Sequence, residues 1–173
     1  MSSCMEVMLS RRSVKKYLSR MPERCDIDRI IEAGLAAASG RNMQASVIVA
    51  VTNREIRDRL SKANAAVMGA SADPFYNAPC VLVVLAEKKA HTYVYDGSLT
   101  LGNMMLAAHE LGLGSCWIHR AKEVMALPEW QEWIASLGLV GEYEGIGNLV
   151  LGYPDGDYPD KKERREGRVF YAD

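Results

Sequence analysis

Residues 103–118 have the sequence NMMLAAHELGLGSCWI. Apolar residues surround nearly the whole of a predicted helix from Asp96 to Leu111, a pattern typical of a helix that is buried on all sides. Gly112 and Gly114 end this helix, and residues 115–118 then form a short apolar strand. A chain of 173 residues rarely encloses a helix completely within its own fold. We therefore expect this helix to lie at a subunit interface.

The remaining secondary structure follows from apolar runs on either side of this segment. Residues 47–52, 80–86 and 145–152 are apolar and partly β-branched, which predicts strands, the first covered on both faces. Helices are predicted after the N-cap candidates Asp26 and Asn53, and over residues 121–127 and 129–136. No repeat or linker divides the chain. We expect one α+β domain over residues 1–173, with a mixed sheet of four or five strands flanked by helices.

Composition excludes several classes of partner. The chain is 49% hydrophobic and 25% charged, with a formal net charge of -1, so no overall field favours nucleic acid or an anionic membrane. The apolar runs are far shorter than the roughly 20 residues of a membrane span. The N-terminus lacks the features of a secretory signal. Four scattered cysteines without a Cys-x-x-Cys pair indicate free thiols, and hence a cytoplasmic protein.

Motifs for protein-based catalysis are missing. The three histidines, His91, His109 and His119, lack the spacing to other ligands that a zinc site needs, so no metal is expected. There is no Gly-x-Ser-x-Gly elbow and no Walker loop. Gly112 and Gly114 end a helix, whereas a dinucleotide fingerprint follows a strand and has a third glycine. Few acid–base candidates beside several anion-binding features predict a protein that uses a bound cofactor.

Four segments, in this order, resemble the FMN-dependent nitroreductase family. They are RRSVK at 11–15, AASGRNMQ at 37–44, the segment at 103–118, and LGYP at 151–154 followed by a basic cluster. The resemblance implies a homodimer with FMN at the subunit interface and NADH or NADPH as electron donor. It further implies ping-pong reduction of small electron-poor acceptors, such as nitroaromatic compounds and quinones. Other flavin chemistry, or FMN storage or sensing without catalysis, remains an alternative on this scaffold.

The basic residues at both ends of the chain are the expected phosphate ligands. The resemblance assigns FMN contacts to Arg11, Ser13 and Lys15, with Arg12 adjacent, and the planar fork of an arginine suits phosphate oxygens. Taken alone, this segment would more often be a solvated basic turn. Near the C-terminus the resemblance assigns Lys162 and Arg164 to the phosphate. Lys161 and Arg165 are alternatives one residue away.

The resemblance assigns two further segments to the flavin ring. The loop with Ala38, Ser39, Gly40 and Asn42 is expected to reach across the dimer, with Asn42 beside the ring of the partner's flavin. This chain departs from the family pattern, because Ala38 replaces a proline and residues 45–46 are Ala-Ser in place of Pro-Trp. Arg41 is either a contact for an acidic substrate or simply solvated.

The segment Trp117-Ile118-His119 is expected against the ring, with a backbone N–H near N5 of the flavin. Core packing of Trp117 is an equally good interpretation. No catalytic side chain is assigned, because the chemistry takes place on FMN, although His119 is a candidate proton donor. The chain has little sequence for a lid, so we expect a flavin face that is open or covered by the partner subunit, and broad substrate choice.

Overall fold

The computed structural model describes residues 3–172, which form an antiparallel sheet with helices on both faces. In chain order the helices are α1 to α6 and the strands β1 to β4: α1 Cys4–Ser10, α2 Arg24–Leu35, β1 Ser46–Val51, α3 Arg54–Met68, β2 Cys80–Glu87, α4 Tyr93–Glu110, β3 Gly114–Ile118, α5 Ala121–Met125, α6 Pro128–Ser136 and β4 Tyr143–Gly152. A single 3₁₀ turn, Gly40–Asn42, lies between α2 and β1.

The sheet has the strand order β1-β2-β4-β3, and every neighbouring pair is antiparallel. The α+β class and the helix-flanked sheet of four strands are confirmed. The expectation of a mixed sheet is corrected, because apolar runs report burial and not strand direction. Among the described residues, the parallel pairing is confined to an isolated bridge between Ser13 and Ser115.

Alternating residues of β2 divide the interior into two apolar layers, because successive side chains of a strand point to opposite faces. Val81, Val83 and Leu85 pack with buried residues of α3, α5 and α6, including Leu60 and Trp130. On the opposite face, Leu82 and Val84 of β2 pack against helices α2 and α4. The buried residues of these helices include Ile27, Ile30, Leu101 and Met104. The central strands β2 and β4 are almost fully buried, whereas β1 lies at the edge and is only half-buried, not covered on both faces.

The first residues of α2 and α3 test the N-cap predictions that were made from the sequence. Asn53 caps α3 as expected, since its side-chain oxygen accepts a hydrogen bond from the Ile56 N–H at 3.0 Å. The prediction for α2 is wrong by three residues: the helix begins at Arg24 after Glu23, and Asp26 lies in its first turn. An acidic residue in the first turn still interacts favourably with the helix dipole, so Asp26 marks the start of α2 without being its N-cap.

Within one chain, helix α4 is buried on its inner side only and not all round. Leu101 and Met104 on its inner face are fully buried, whereas Tyr95 and Leu99 are 72% and 51% exposed. A Cβ on Gly34 of α2 would lie 2.6 Å from the Met104 side chain, so this glycine permits the close α2–α4 packing. The apolar outer face of α4 is therefore open to solvent in a single chain.

Two negative findings apply to residues 3–172. No helix there is both long and apolar enough to cross a membrane. No cluster of histidine, cysteine, aspartate and glutamate side chains in that range is arranged to bind a metal ion. All four cysteines are free thiols, as the sequence predicts.

Candidate functional site

The two ends of the chain meet in a basic cavity of about 430 Å³. Its lining combines the predicted N-terminal and C-terminal residues with two that were not predicted, Pro159 and Asp160: Arg11, Arg12, Ser13, Lys15, Pro159, Asp160, Lys162 and Arg164. Lys161 and Arg165, the alternatives in register, are not among the lining residues. Five cationic side chains thus surround one carboxylate, and the cavity is suited to an anion.

Pairing with β3 positions the N-terminal basic segment. After α1 the chain runs beside this strand, and Val14 donates its N–H to the Ser115 carbonyl at 3.0 Å. The side chain of Val14 packs against Gly114, where a Cβ would lie only 2.8 Å from it. Since side chains alternate along an extended segment, burial of Val14 directs Ser13 and Lys15 to the opposite side. The extended segment thus presents its polar residues to the cavity.

Arg11 and Arg12 differ in how their guanidinium groups are satisfied. Nη1 of Arg12 donates to the carbonyls of Leu9 at 2.9 Å and Arg11 at 2.7 Å. Nη1 of Arg11 is buried and has no hydrogen-bond partner among the described residues. A buried donor without a partner is costly unless a ligand satisfies it. Nε of Arg12 is likewise buried without a described partner, so both arginines offer a free donor beside the cavity, and Arg12 also holds the backbone through Nη1.

The pKa shifts of two neighbouring groups report this environment. The pKa of His109 is lowered, first by loss of solvent and then by the positive charges of Arg11 and Arg12. Burial raises the pKa of Cys116, although the Ser13 hydroxyl and the nearby Lys15 and Arg11 oppose that rise. Both histidine and cysteine therefore sense a positive potential, and the two groups are neutral at neutral pH.

Trp117, Ile118 and His119 lie at the far end of β3 and face in different directions. The indole of Trp117 is half-buried against the layer formed with α2 and α4, and a Cβ on Gly147 would collide with its Nε1 atom. Ile118 is buried in the opposite layer, and His119 is exposed. The core interpretation of the Trp117 side chain therefore holds within one chain. Backbone contacts of this segment with a ring stay a prediction.

The loop at residues 38–42 is a tightly held turn. Ser39 accepts a hydrogen bond from the Gln44 N–H at 3.1 Å, and Gly40 donates its N–H to Asp96 at 3.1 Å. A Cβ on Gly40 would collide with Thr92, so only glycine fits at this position. Arg41 and Asn42 both have left-handed backbone angles, with φ of 52° and 55°. Such a geometry is uncommon for side-chain-bearing residues and is typical of functional loops.

This loop and the basic cavity lie at opposite ends of α4 in one chain. Gly40 contacts Asp96 near the start of the helix, whereas Ser10, beside Arg11, lies 2.7 Å from His109 near its end. Thirteen residues of helix correspond to about 20 Å. A single chain therefore does not bring the predicted basic residues together with the loop residues Ala38, Ser39, Gly40 and Asn42.

Two contacts of the cavity were missed from the sequence. Tyr158 donates to and accepts from the backbone of Arg12, and its ring stacks on His109 at 5.0 Å between centroids. Tyr158 stands in a polar, turn-rich segment, and His109 is 49 residues earlier, on a helix whose pattern indicates only packing. No local signal in the sequence joins these two residues.

The fold and the cavity together define an α+β protein with a basic cavity, suited to an anionic ligand, between its N-terminal and C-terminal segments. The profile of the Nitroreductase family matches residues 8–141, about three quarters of the chain. The chain belongs to the nitroreductase family, and the resemblance seen in its sequence is confirmed.

Individual relatives agree with this assignment. A protein of Archaeoglobus fulgidus that carries the name of an NADH dehydrogenase/NAD(P)H nitroreductase is 30% identical over 162 residues, which cover 89% of this chain and 87% of that protein. A nitroreductase of Bacteroides fragilis, solved with bound FMN, is 28% identical and superimposes with a TM-score of 0.87 over the full length of both chains. Iodotyrosine deiodinase, solved with FMN and 3-iodo-L-tyrosine, shares the fold at 23% identity with a TM-score of 0.76, covering 98% of this chain and 99% of that one.

Proposed function

We propose that the chain is an FMN-dependent NAD(P)H oxidoreductase that reduces small electron-poor acceptors, such as nitroaromatic compounds and quinones, by a ping-pong mechanism. One observation carries the proposal: Nη1 of Arg11, which has no hydrogen-bond partner among residues 3–172, is buried beside a cavity with five cationic side chains. A phosphate dianion satisfies both features, because it accepts several charge-assisted hydrogen bonds. Family membership and the bound FMN of the Bacteroides fragilis structure support FMN as the carrier of that phosphate.

The residues present fit this cofactor. Arg11, Ser13 and Lys15 would hold the phosphate from one side, and Lys162 and Arg164 from the other. An elongated ligand anchored there can extend along β3 from Ser115 toward His119, a reach of about 13 Å at the rise of a strand. When bound, FMN supplies the redox chemistry that none of the described side chains provides, passing electrons from the nicotinamide to the acceptor.

The chain's own groups then have three tasks. The cations balance the phosphate charge, and the pairing of the basic segment with β3 fixes their positions. Trp117 closes the floor of the site by filling the space above Gly147. His119 is exposed at the end of β3 and is the candidate that delivers a proton to the reduced acceptor.

A homodimer would complete the site. The outer face of α4 exposes Val94, Tyr95 and Leu99, an apolar surface of the kind that subunit interfaces bury. The loop at residues 38–42 is separated from the cavity of its own chain by about 20 Å along α4, and in a dimer a second copy would bring this loop to the ring. The dimer thereby accounts for both features.

Broad acceptor choice follows from the short connections near the site. Five residues separate β2 from α4, and only two residues, 119 and 120, separate β3 from α5. Neither connection is long enough to form a lid. We accordingly propose an open flavin face that accepts flat conjugated molecules, in a protein that works in the cytoplasm.

A second function in the same family deserves a test. The fold is shared with iodotyrosine deiodinase, so flavin chemistry other than nitro reduction is compatible with this scaffold. The replaced loop residues Ala38, Ala45 and Ser46 keep a storage or sensing role open as well. Rapid reduction of the bound FMN by NADH or NADPH would distinguish an oxidoreductase from an FMN carrier with a storage or sensing role.

The decisive experiment is the visible spectrum of the purified protein, reconstituted with FMN, before and after anaerobic addition of NADH or NADPH. We expect yellow protein that is bleached when the nicotinamide reduces the bound FMN. In steady-state kinetics, double-reciprocal plots should give parallel lines when the concentrations of nicotinamide and a quinone are varied together. Colourless protein after incubation with excess FMN would overturn the proposal. Yellow protein that neither nicotinamide bleaches would favour the carrier, and intersecting lines would overturn the shared site.

A further inference from the structure

The segment that carries Lys162 and Arg164 has no helix or strand of its own. Up to Asp155 the chain is held firmly, since Pro154 bridges to Tyr17 and the Asp155 N–H donates to the Lys16 carbonyl at 3.0 Å. Residues 156–172 follow without regular structure. Their hydrogen bonds to the rest of the described chain are made by one side chain, Tyr158.

Tyr158 attaches the segment at two points. Its hydroxyl accepts a hydrogen bond from the Arg12 N–H at 2.8 Å and donates one to the Arg12 carbonyl at 3.2 Å. Its ring stacks on the imidazole of His109, with 5.0 Å between centroids and 25° between planes. One residue thus joins the C-terminal segment both to the basic segment and to the end of α4.

The imidazole of His109, on which Tyr158 stacks, is itself held in place by hydrogen bonding. Ser10 donates its hydroxyl to the Glu6 carbonyl at 2.6 Å, so the oxygen of Ser10 is free to accept from Nε2–H of His109 at 2.7 Å. Burial and the charges of Arg11 and Arg12 lower the pKa of His109, which keeps the ring neutral. A neutral, fixed imidazole offers a flat surface without adding a further cation to the cavity.

We propose that Tyr158, stacked on His109, is the latch that holds Lys162 and Arg164 at the cofactor phosphate. It is a positioning residue, and its action rests on the proposed binding of FMN. Only three residues lie between Tyr158 and Lys162, so the latch keeps both cations at a high local concentration around the anion. Released from the latch, residues 156–172 gain conformational freedom that phosphate binding must remove again.

Three variants isolate the latch. Tyr158→Ala removes stacking and both hydrogen bonds, and Tyr158→Phe removes only the hydrogen bonds. Tyr143→Phe is the matched control, because Tyr143 lies at the opposite end of β4 and its hydroxyl makes no hydrogen bond in the described structure. FMN affinity is measured by quenching of flavin fluorescence. Release of the segment is measured by trypsin cleavage after residues 161, 162, 164 and 165, followed by mass spectrometry.

We expect Tyr158→Ala to raise the Kd for FMN about tenfold and to speed cleavage by a similar factor, as loss of one intramolecular attachment implies. Tyr158→Phe should fall between Tyr158→Ala and wild type, and Tyr143→Phe should match wild type. In a Lys162→Gln/Arg164→Gln background, Tyr158→Ala should change the Kd little, because the groups that it positions are already absent. That coupling separates positioning from a general structural defect.

Each contrary result has a distinct meaning. Unchanged Kd and cleavage in Tyr158→Ala would overturn the latch. An equal loss of affinity in both backgrounds would also overturn it, because Tyr158 would then act independently of Lys162 and Arg164. If the alanine variant does not fold, Tyr158→Phe decides the question on the same two measurements. Absence of FMN binding by the wild-type protein would overturn the proposed function instead, while the cleavage rates would still report on attachment of the segment.

Discussion

The buried Arg57 and the half-buried Arg11 show how one residue type serves two purposes in this molecule. Arg57 of α3 donates to the Ala78 carbonyl at 3.0 Å, to Asp58 at 2.9 Å and to Asp73 at 2.6 Å. Arg11 keeps a buried Nη1 with no partner in the described residues. Arg57 has acceptors for each of its three nitrogens, whereas Arg11 has a donor left over. The complete set of acceptors marks Arg57 as a structural arginine, whereas the free donor of Arg11 fits a role in ligand binding.

The counterion of Arg57 is the centre of a loop. Asp73 accepts hydrogen bonds from Ser61, from Arg57 and from the backbone N–H groups of Phe75 and Asn77. It thereby holds the left-handed turn at Tyr76 and Asn77, whose φ angles are 54° and 56°. Among residues 3–172, no carboxylate is paired with Arg11 in this way. Substitutions at the two regions should therefore affect different properties, folding in one and cofactor binding in the other.

The largest expected effect belongs to Asp73. Asp73→Ala removes four hydrogen bonds and leaves Arg57 without its closest counterion, so the free energy of unfolding should fall by about 3 kcal/mol. Urea denaturation of the FMN-free protein measures this loss. Asp28→Ala is the control, because Asp28 pairs with Arg24 on the surface and such pairs contribute less than about 1 kcal/mol. Equal effects of the two substitutions would contradict a structural role for Asp73.

The next effect belongs to Arg11 and should appear in binding alone. Arg11→Gln removes a charge-assisted donor to the phosphate, a contact worth about 1.5–3 kcal/mol, so the Kd for FMN should rise by one to two orders of magnitude. The free energy of unfolding without FMN should stay within about 0.5 kcal/mol of wild type, since no described partner is lost. Arg24→Gln, on the exposed face of α2, is the matched control. An unchanged Kd would contradict the phosphate site.

The comparison also shows where sequence reasoning succeeds. The strands β2 and β4 and the helix α4 were predictable because their apolar runs report burial directly. The convergence of Arg11 with Lys162 was predictable only through family resemblance, since the two residues are 151 positions apart in the sequence. Strand direction, the stacking of Tyr158 on His109 and the inward turn of Trp117 depend on tertiary contacts that leave no local pattern. The hydrogen-bond state of Arg11 and Arg57 is of the same kind, because both are simply arginines in polar segments.

A smaller effect is expected at acid pH, where the Asp73 carboxylate becomes protonated. Burial alone would raise the pKa of Asp73, but hydrogen bonds from Ser61, Arg57, Phe75 and Asn77 together lower it below its usual value of 3.8. A carboxylate with a lowered pKa contributes stability that is complete above the unfolded-state value and is lost as pH falls through the folded-state value. The difference in unfolding free energy between wild type and Asp73→Ala should therefore be constant from pH 7 to 5 and narrow below 3.8. A difference that already narrows near pH 6 would contradict this assignment.

The smallest expected effect is the response to salt, which distinguishes the two regions without any substitution. The cavity around Arg11 opens to solvent, so KCl should screen its attraction for a phosphate, and raising KCl from 0.05 to 0.5 M should weaken FMN binding about threefold. Arg57 is only 7% exposed, and screening inside the protein is weak, so the stability difference between wild type and Asp73→Ala should hardly change over the same range. Flavin fluorescence titrations and urea curves at both salt concentrations measure the two responses. Salt-independent FMN binding would mean that its affinity comes from the ring and not from the basic cavity, and would remove the contrast between the two arginines.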